Sequence, residues 1–427
     1  MKIIFAILLF CCTQSFALKE YYSITKSVRS LGMGGANYAR SDDEYALFYN
    51  PAGLSFYDRD WQLMLNINSS LSSNATSVYN TLSNSQAFSG STNLSDIVDK
   101  ISEFQGQPIY GGVGLLPFYV RRRFGVGLLL ADTKANIALL GAGLNSSLDM
   151  TAILDNGIVM AYGRPIYKDV LHIGLATKIL LRAGGKKTFS VLDIAKTTNF
   201  TVNPTDLGGA GIGFDLDLGA MWDLPNPPLG LTSRFGLVLS NLLASKFTIN
   251  RIGGAPPGLV RTLSLGNYTV FPGVLFIDNF HVAIDFAEFS LGGETDPDYG
   301  ARTGSFFKHV NVGVEMPIHR WLSLRTGFRQ GLLTAGIGMH WKYARLDFTT
   351  YAEELASGVD RLNSRRFALT LAFGGGEFAP APITGRAAPV QEALPVPPQT
   401  APKEQPVPIQ KPVHPEGPAT EAPKKTN

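Results

Sequence analysis

Short segments in which apolar residues alternate with small or polar ones recur between Trp61 and Phe373, and they constrain the fold of this chain most strongly. Residues 124–130 (FGVGLLL), 212–219 (IGFDLDLG) and 367–373 (FALTLAF) are examples. Alternation with a period of two gives a strand with one apolar face. The opposite face carries glycine and small residues instead of the Lys, Glu and Thr of a water-facing sheet, which suits the crowded interior of a closed barrel. We therefore predict an all-β fold, a transmembrane antiparallel β-barrel whose apolar face contacts outer-membrane lipid.

The connections between these strands alternate in length. Long ones are expected near residues 80–107, 135–147, 184–207, 244–261, 290–305 and 352–364, and short ones near residues 121–123, 164–169, 277–279, 317–320 and 342–343. Bacterial outer-membrane barrels combine long outer loops with short periplasmic turns. Two connections depart from the pattern, because residues 223–233 are long for a turn and residues 330–331 are short for an outer loop. The count is about 14 strands, and an even number leaves both chain ends in the periplasm.

The first residues of the chain predict export. Residues 1–17 combine a lysine at position 2, a short apolar run and the ending Ser15-Phe16-Ala17, which is the pattern of a cleaved signal peptide. Both cysteines, Cys11 and Cys12, lie within it, and a lipoprotein site at Cys11 is the alternative. Cleavage after Ala17 leaves a mature chain without cysteine, which excludes disulfides and thiolate metal sites. The formal charge of +3 gives no reason to expect a nucleic-acid partner.

A glycine-rich segment, residues 27–56 (SVRSLGMGGANYARSDDEYALFYNPAGLSF), separates the signal from the strands. It contains three glycines, an acidic pair and a turn, which are Gly32, Gly34, Gly35, Asp42, Asp43, Asn50, Pro51, Ala52 and Gly53. A dinucleotide-binding loop would need a preceding strand and a third glycine where Asn37 stands. Two interpretations remain, an ordinary surface N-terminus and a plug folded into the barrel lumen, where glycines allow close backbone approach.

The same residues carry a resemblance to a known family. Residues 29–36 (RSLGMGGA), the Asp42-Asp43 pair and residues 49–54 (YNPAGL) resemble the N-terminal hatch of the FadL-type outer-membrane transport superfamily. The resemblance implies a 14-stranded barrel over residues 27–373 with a hatch in its lumen, and transport of hydrophobic compounds. Residues 235–242 and 309–315 look more like the PorV-like and uncharacterised branches of that superfamily, which implies a docking role.

The chain is therefore expected to have four parts. These are a signal peptide (residues 1–17), a hatch (18–60), an outer-membrane β-barrel (61–373) and a disordered, proline-rich periplasmic tail (374–427). The strand that ends at Phe373 resembles the terminal-strand signal that barrel-assembly machinery recognises, so that machinery is an expected partner in biogenesis. The tail is either a solvated extension or a tether for a periplasmic partner or the cell wall.

Two groups of residues are candidates for function. The alternation places a set of charged residues inside the barrel, namely Asp215, Asp217, Asp285, Glu315, Arg325, Arg345 and Asp347. A structural ion-pair network is the default interpretation, and a polar translocation path is the alternative. The first long loop carries apolar residues at helical spacing, namely Leu94, Ile97, Val98, Ile101 and Phe104. They are suited either to capture an apolar ligand or to pack on the barrel rim.

Nothing in the sequence indicates an enzyme. The chain contains neither a His-Glu-x-x-His zinc motif nor a Gly-x-Ser-x-Gly elbow, and we expect no cofactor. The acidic loop of Glu294, Asp296 and Asp298 lacks calcium-ligand spacing, so no metal is expected. The leading hypothesis is passive uptake or capture of small hydrophobic molecules such as long-chain fatty acids, gated by the hatch. The alternative is a PorV-like docking or secretion-accessory protein without small-molecule transport.

Overall fold

The computed structural model describes residues 20, 23–57, 60–77, 105–140, 147–190, 207–225, 231–274, 277–291, 306–355 and 362–375. The predicted signal peptide, the apolar segment of the first long loop and almost all of the predicted tail lie outside these ranges. Within the described ranges, no helix has the length and apolar character needed to cross a bilayer.

Among the described residues, short helices come first and strands follow. Helix α1 (Val28–Gly32) is followed by two 3₁₀ helices, Glu44–Leu47 and Pro51–Phe56. The strands are β1 (Gln62–Ser72), β2 (Ile109–Arg121), β3 (Phe124–Leu140), β4 (Ser147–Tyr167), β5 (Leu171–Ser190), β6 (Gly209–Asp223), β7 (Thr232–Ser240), β8 (Ile249–Ile252), β9 (Thr262–Val274), β10 (Ile277–Ser290), β11 (Val310–His319), β12 (Leu322–Arg329), β13 (Leu332–His340), β14 (Ala344–Glu354) and β15 (Asn363–Gly374). A third 3₁₀ helix, Phe306–His309, precedes β11.

The strands form one closed antiparallel sheet. Most neighbours in sequence are neighbours in the sheet, β5 pairs with β6, and β1 pairs with β15 to complete the circle. Strand β7 pairs with both β6 and β9, whereas β8 pairs with β6 alone and is not one of the strands that close the ring. Fourteen of the fifteen strands therefore make the barrel. The predicted all-β barrel and its strand number are confirmed, with β8 as an additional strand.

The two faces of the wall differ as the alternation predicts. On β1, Leu63, Leu65 and Ile67 are exposed on the outside, while the alternate residues Met64 and Asn66 are buried inside. Exposed aromatic side chains gather where the short connections lie, as Trp61, Tyr119, Tyr167, Trp222, Trp321, Trp341 and Tyr343 show. Aromatic residues at the strand ends, bordering an apolar outer band, are typical of barrels in the outer membrane. We call the end with the short connections the turn end and the opposite end the loop end.

The strands reach further toward the loop end than the sequence predicts. Strand β3 continues to Leu140 and β5 to Ser190, so the connections expected at residues 135–147 and 184–207 begin later. Their outer parts remain paired, with Leu140 opposite Ser147 and Ser147 opposite Ser190. Backbone N–H and C=O groups need hydrogen-bond partners, and the continued pairing of β3, β4 and β5 supplies them. The connection expected at residues 244–261 also differs, because it contains β8 and buries part of its length.

Candidate functional site: the hatch and the barrel lumen

Residues 23–57 fill the lumen, and we call them the hatch. Almost all are buried, including Met33, Leu47 and Leu54, which have no exposed surface. Their neighbours come from strands all around the ring, among them β3, β5, β6, β12 and β14. Short-range hydrogen bonds define the helices of the hatch. The side chain of Ser27 caps α1, and the side chain of Asn50 caps the second 3₁₀ helix.

Glycines on both sides allow the hatch backbone to touch the wall. Gly34 has a left-handed φ of +67°, and a side chain there would collide with the carbonyl oxygens of Phe328 and Val312. On the wall, a side chain at Gly313 or Gly327 would collide with the backbone of Met33 or Gly34, respectively. Gly313 and Gly327 on the inner face of the wall are therefore places where the hatch packs against it.

The carboxylate of Glu315, on β11, is surrounded by three buried guanidinium groups. Arg29 of α1 donates two hydrogen bonds to it, each 3.2 Å long, and Arg40 donates one of 2.5 Å. Arg325 of β12 donates one of 2.7 Å and also one of 2.6 Å to Asp347 of β14. Buried charges are costly unless they are paired and hydrogen-bonded, so this cluster fixes the hatch to the wall.

Arg345 extends this cluster along β14. Its guanidinium lies 2.9 Å from Asp347 and donates to Glu44 of the hatch, which also accepts a 2.7 Å hydrogen bond from Asn66. The structure thus brings together four of the predicted lumenal residues, Glu315, Arg325, Arg345 and Asp347. The hatch residues that complete the cluster are not among the predicted ones, and their only signal is their place beside the glycine motif: Arg29, Arg40 and Glu44.

The acidic pair of the hatch motif belongs to the same cluster. Asp42 and Asp43 contact Arg29 at 3.3 and 3.2 Å. Asp43 also accepts a hydrogen bond from the backbone N–H of Tyr45 and so caps the first 3₁₀ helix. Burial, together with the charge of the neighbouring Glu44, raises the pKa of Asp43 to about 7. The hatch therefore holds a carboxyl group whose charge changes near neutral pH.

The other three predicted lumenal acids lie apart from this cluster. Asp285 accepts hydrogen bonds of 2.6 and 2.9 Å from the backbone N–H groups of Asn37 and Tyr38 in the hatch. Asp217 pairs with Lys178 of β5 at 2.6 Å. Asp215 accepts backbone hydrogen bonds from the connection after β7. All three carboxylates bind irregular backbone or a lysine, so they stabilise what fills the lumen.

The first described residues form a distinct segment, which we call the leading segment. It consists of Glu20 and of residues 23–26 of the hatch. Glu20 accepts hydrogen bonds of 2.6 and 2.8 Å from Arg366 of β15. Lys26 pairs with Glu353 of β14 at 2.7 Å, and burial lowers the pKa of this lysine. The sequence gives no sign of these two ion pairs, because the partners lie more than 300 residues apart in the chain.

Two cavities flank the leading segment. The first, of about 60 Å³, lies toward β5, β7 and β9 to β12 and is lined by Lys178, Asn241 and Arg329 among others. The second, of about 50 Å³, lies toward β1 to β3, β14 and β15. Ser23, Thr25 and Lys26 line both cavities, so the leading segment separates them.

Some predictions fall outside the described residues or find no counterpart among them. The proposed capture residues Leu94, Ile97, Val98, Ile101 and Phe104 all lie outside the described ranges. Within those ranges, no three His, Cys, Asp or Glu side chains are arranged to hold a metal ion. The arrangement described here offers ion pairing, close packing and two small cavities.

The chain is similar to several solved channel structures. The CymD monoaromatic hydrocarbon channel shares 11% identity with it, over 84% of this chain and 99% of that chain, with a TM-score of 0.48. The toluene transporter TodX of P. putida shares 13% over 85% and 100%, at 0.43, and a Pseudomonas aeruginosa FadL homologue shares 11% over 83% and 99%, at 0.39. The FadL homologue belongs to the family that the hatch motif resembles. No protein-family model and no curated protein sequence match the chain.

Proposed function

We propose that this barrel captures small hydrophobic molecules at the loop end of its lumen and passes them across the outer membrane when the hatch moves. The observation that supports the proposal most directly is the position of the leading segment between two cavities. Displacement of residues 23–26 alone joins the cavities into one chamber. The rest of the hatch still closes the turn end, because the Glu315 cluster holds it to β11 and β14.

The lining of the second cavity contains apolar side chains. They include Val28 and Leu31 of the hatch and Tyr351 and Ala368 of the wall. On β2, Gly112 and Gly114 line the same cavity and put no side chain into the lumen. Such a surface suits a small apolar ligand, for which long-chain fatty acids are the first class to test.

Orientation follows from the connections. Strand β1 begins and β15 ends at the turn end, which in outer-membrane barrels faces the periplasm. We therefore place the C-terminal tail in the periplasm, where it is available to a partner. Glu20 lies beside Arg366 on the loop-end half of β15, so this residue of the leading segment lies in the loop-end half of the lumen.

Uptake of a labelled long-chain fatty acid tests the proposal in a strain that lacks the gene. The wild-type chain should restore uptake. Ser23→Trp should reduce it several-fold, because Ser23 lines both cavities and the indole fills them. Ile252→Trp is the control and should restore uptake fully, because Ile252 is exposed and lines neither cavity. Heat-modifiable migration in gels shows that each variant folds.

A docking role without transport is the second candidate, and the filled lumen favours it. The described part of the hatch is almost wholly buried in the lumen and is fixed to the wall by buried ion pairs on β11 and β14. In the same deletion strain, unchanged fatty-acid uptake together with loss of surface-exposed proteins would establish docking and contradict transport.

A further inference from the structure

The connection between β7 and β9, residues 241–261, does not leave the barrel as an ordinary outer loop. Strand β7 pairs with β6 only over residues 218–223 of β6 and ends at Ser240. The loop-end half of β6 therefore lacks a continuous strand partner on this side. The connection, which we call the strap, fills that gap and turns into the lumen.

The burial of the strap shows the inward turn. Phe247 and Leu259 are buried in the same apolar cluster as Ile24 of the hatch. On β6, a side chain at Gly211 would collide with the carbonyl of Phe247, and one at Gly213 with the side chain of Ser245. These glycines face the lumen, so the strap lies against the inner surface of the wall.

The strap is held in place mainly by hydrogen bonds from its backbone to side chains of the wall, and by few strand contacts. The carboxylate of Asp215 accepts hydrogen bonds from the backbone N–H groups of Leu243 at 3.0 Å and Ser245 at 2.9 Å. Asp217 accepts one from Asn241 at 2.8 Å, and Arg182 of β5 donates to the carbonyl of Pro257 at 2.9 Å. Strand β8 adds two pairing positions with β6. A segment fixed mainly by a few side chains can detach without breaking the barrel ladder.

The backbone of the strap carries local strain. Asn241, Ala244, Phe247 and Asn250 all have left-handed φ angles between +48° and +55°. For residues such as Ala and Phe this conformation is unfavourable, because Cβ approaches the following carbonyl oxygen. Strained segments persist only where surrounding contacts enforce them, and they gather at ligand clamps and switch regions.

We infer that the strap is a lid over the first cavity, distinct from the hatch. Gly258, Leu259 and Val260 of the strap and Tyr38, Phe48 and Tyr49 of the hatch line that cavity from opposite sides. The second cavity has no lining residue from the strap. Detachment of the strap therefore opens the first cavity toward the loop end and leaves the second unchanged. This lid is independent of what the barrel transports.

Cysteine accessibility tests the lid in the folded protein. Ser240→Cys places a thiol on the first cavity and Ser70→Cys one on the second. Asp215→Asn replaces one acceptor oxygen by an amide that repels a strap N–H. It should raise the labelling rate of Cys at position 240 by a hydrophilic thiol reagent at least several-fold, and leave the rate at position 70 unchanged. Equal increases at both positions, or no increase at position 240, would overturn the inference.

A reversible restraint gives the opposite test. The side chains at positions 213 and 245 are close enough for a disulfide in Gly213→Cys/Ser245→Cys. The bridge is oxidised first, and the thiol of Ser240→Cys in the same protein is labelled afterwards. This thiol should react more slowly than in the unbridged protein, and reduction of the bridge should restore its labelling rate. An unchanged rate in the oxidised form would contradict a strap that moves. Fatty-acid uptake plays no part in either readout, so failure here is distinct from failure of the transport proposal.

Discussion

Gly34 shows how one residue without a side chain positions the whole hatch. Its φ of +67° costs an alanine roughly 1–2 kcal/mol. An alanine methyl group would also meet two wall carbonyl oxygens, and overpacking of this kind costs about 1–3 kcal/mol. We expect Gly34→Ala to lower the free energy of hatch attachment by the sum of both effects. Limited proteolysis of residues 23–57 in the folded barrel measures it.

Gly331 is the matched control for this substitution. It has a similar φ of +78°, but a side chain there would meet nothing within 4 Å. Gly331→Ala therefore introduces only the cost of the left-handed backbone, roughly 1–2 kcal/mol, at a turn of the wall outside the hatch. Equal protease sensitivity in the two variants would mean that the close contact with Phe328 and Val312 contributes nothing.

Asp43 makes hatch attachment depend on pH. Burial raises the pKa of this carboxyl from the ordinary 3.8 to about 7, so the attached hatch binds its proton more tightly than a released hatch does. Attachment is then most stable at low pH and weakens as pH rises between these two pKa values. Its equilibrium constant falls by up to about tenfold per pH unit. Asp43→Asn, which mimics the protonated acid and still caps the helix, should abolish this dependence. Protease sensitivity compared at about pH 5 and pH 8 measures it, and a wild-type pH response in Asp43→Asn would contradict the assignment.

At the scale of elements, the leading segment should be released more easily than the rest of the hatch. Glu20 is the acceptor for the buried guanidinium of Arg366, and Glu20→Gln leaves that charge without its partner. Breaking a buried ion pair from one side costs about 3–5 kcal/mol. We expect release of residues 23–26 with the barrel intact, seen as at least tenfold faster thiol labelling of Ser23→Cys.

Asp149→Asn provides the control for this release. Asp149 of β4 pairs with Lys186 of β5 at 3.6 Å, and both side chains are buried and belong to the wall. A buried ion pair is again broken from its acidic side, and labelling at position 23 should stay at the level of the Ser23→Cys protein. Faster labelling in this variant as well would indicate general loosening of the barrel.

Elements differ in how far their sequence predicts them. The strands follow from alternation, because one face must meet lipid and the other a crowded lumen. The Glu315 cluster is half predicted, since Glu315 and Arg325 stand on alternating strands while Arg29 and Arg40 lie in a segment without periodicity. The strap is not predicted at all. Its inward turn depends on a short β7 and on carboxylates more than 20 residues away in sequence, and local patterns do not record such contacts.

The whole molecule is a wall with apolar character outside and charge inside, which is the reverse of a water-soluble barrel. The lumen needs no continuous apolar core because the hatch brings its own, with Tyr45, Leu47 and Leu54 packed against Phe118 of β2 and its neighbours. Around this core, the ion pairs are distributed over the ring. Opening the lumen therefore means moving an inner body within a wall whose own ladder stays intact.

Lipid contact by the outer face can be tested on β1. Ile67 lies near the middle of this strand and points outward between Leu115 and Leu371 of the adjacent strands. An arginine on the lipid face near the bilayer centre costs about 2–4 kcal/mol, so Ile67→Arg should lower the free energy of unfolding from lipid vesicles by that amount in urea titrations. Ile252→Arg is the control, because Ile252 is 72% exposed on β8, which is not one of the ring strands. Its effect on the free energy of unfolding should stay within about 0.5 kcal/mol. Equal, small effects at both positions would mean that this face of β1 does not meet the bilayer.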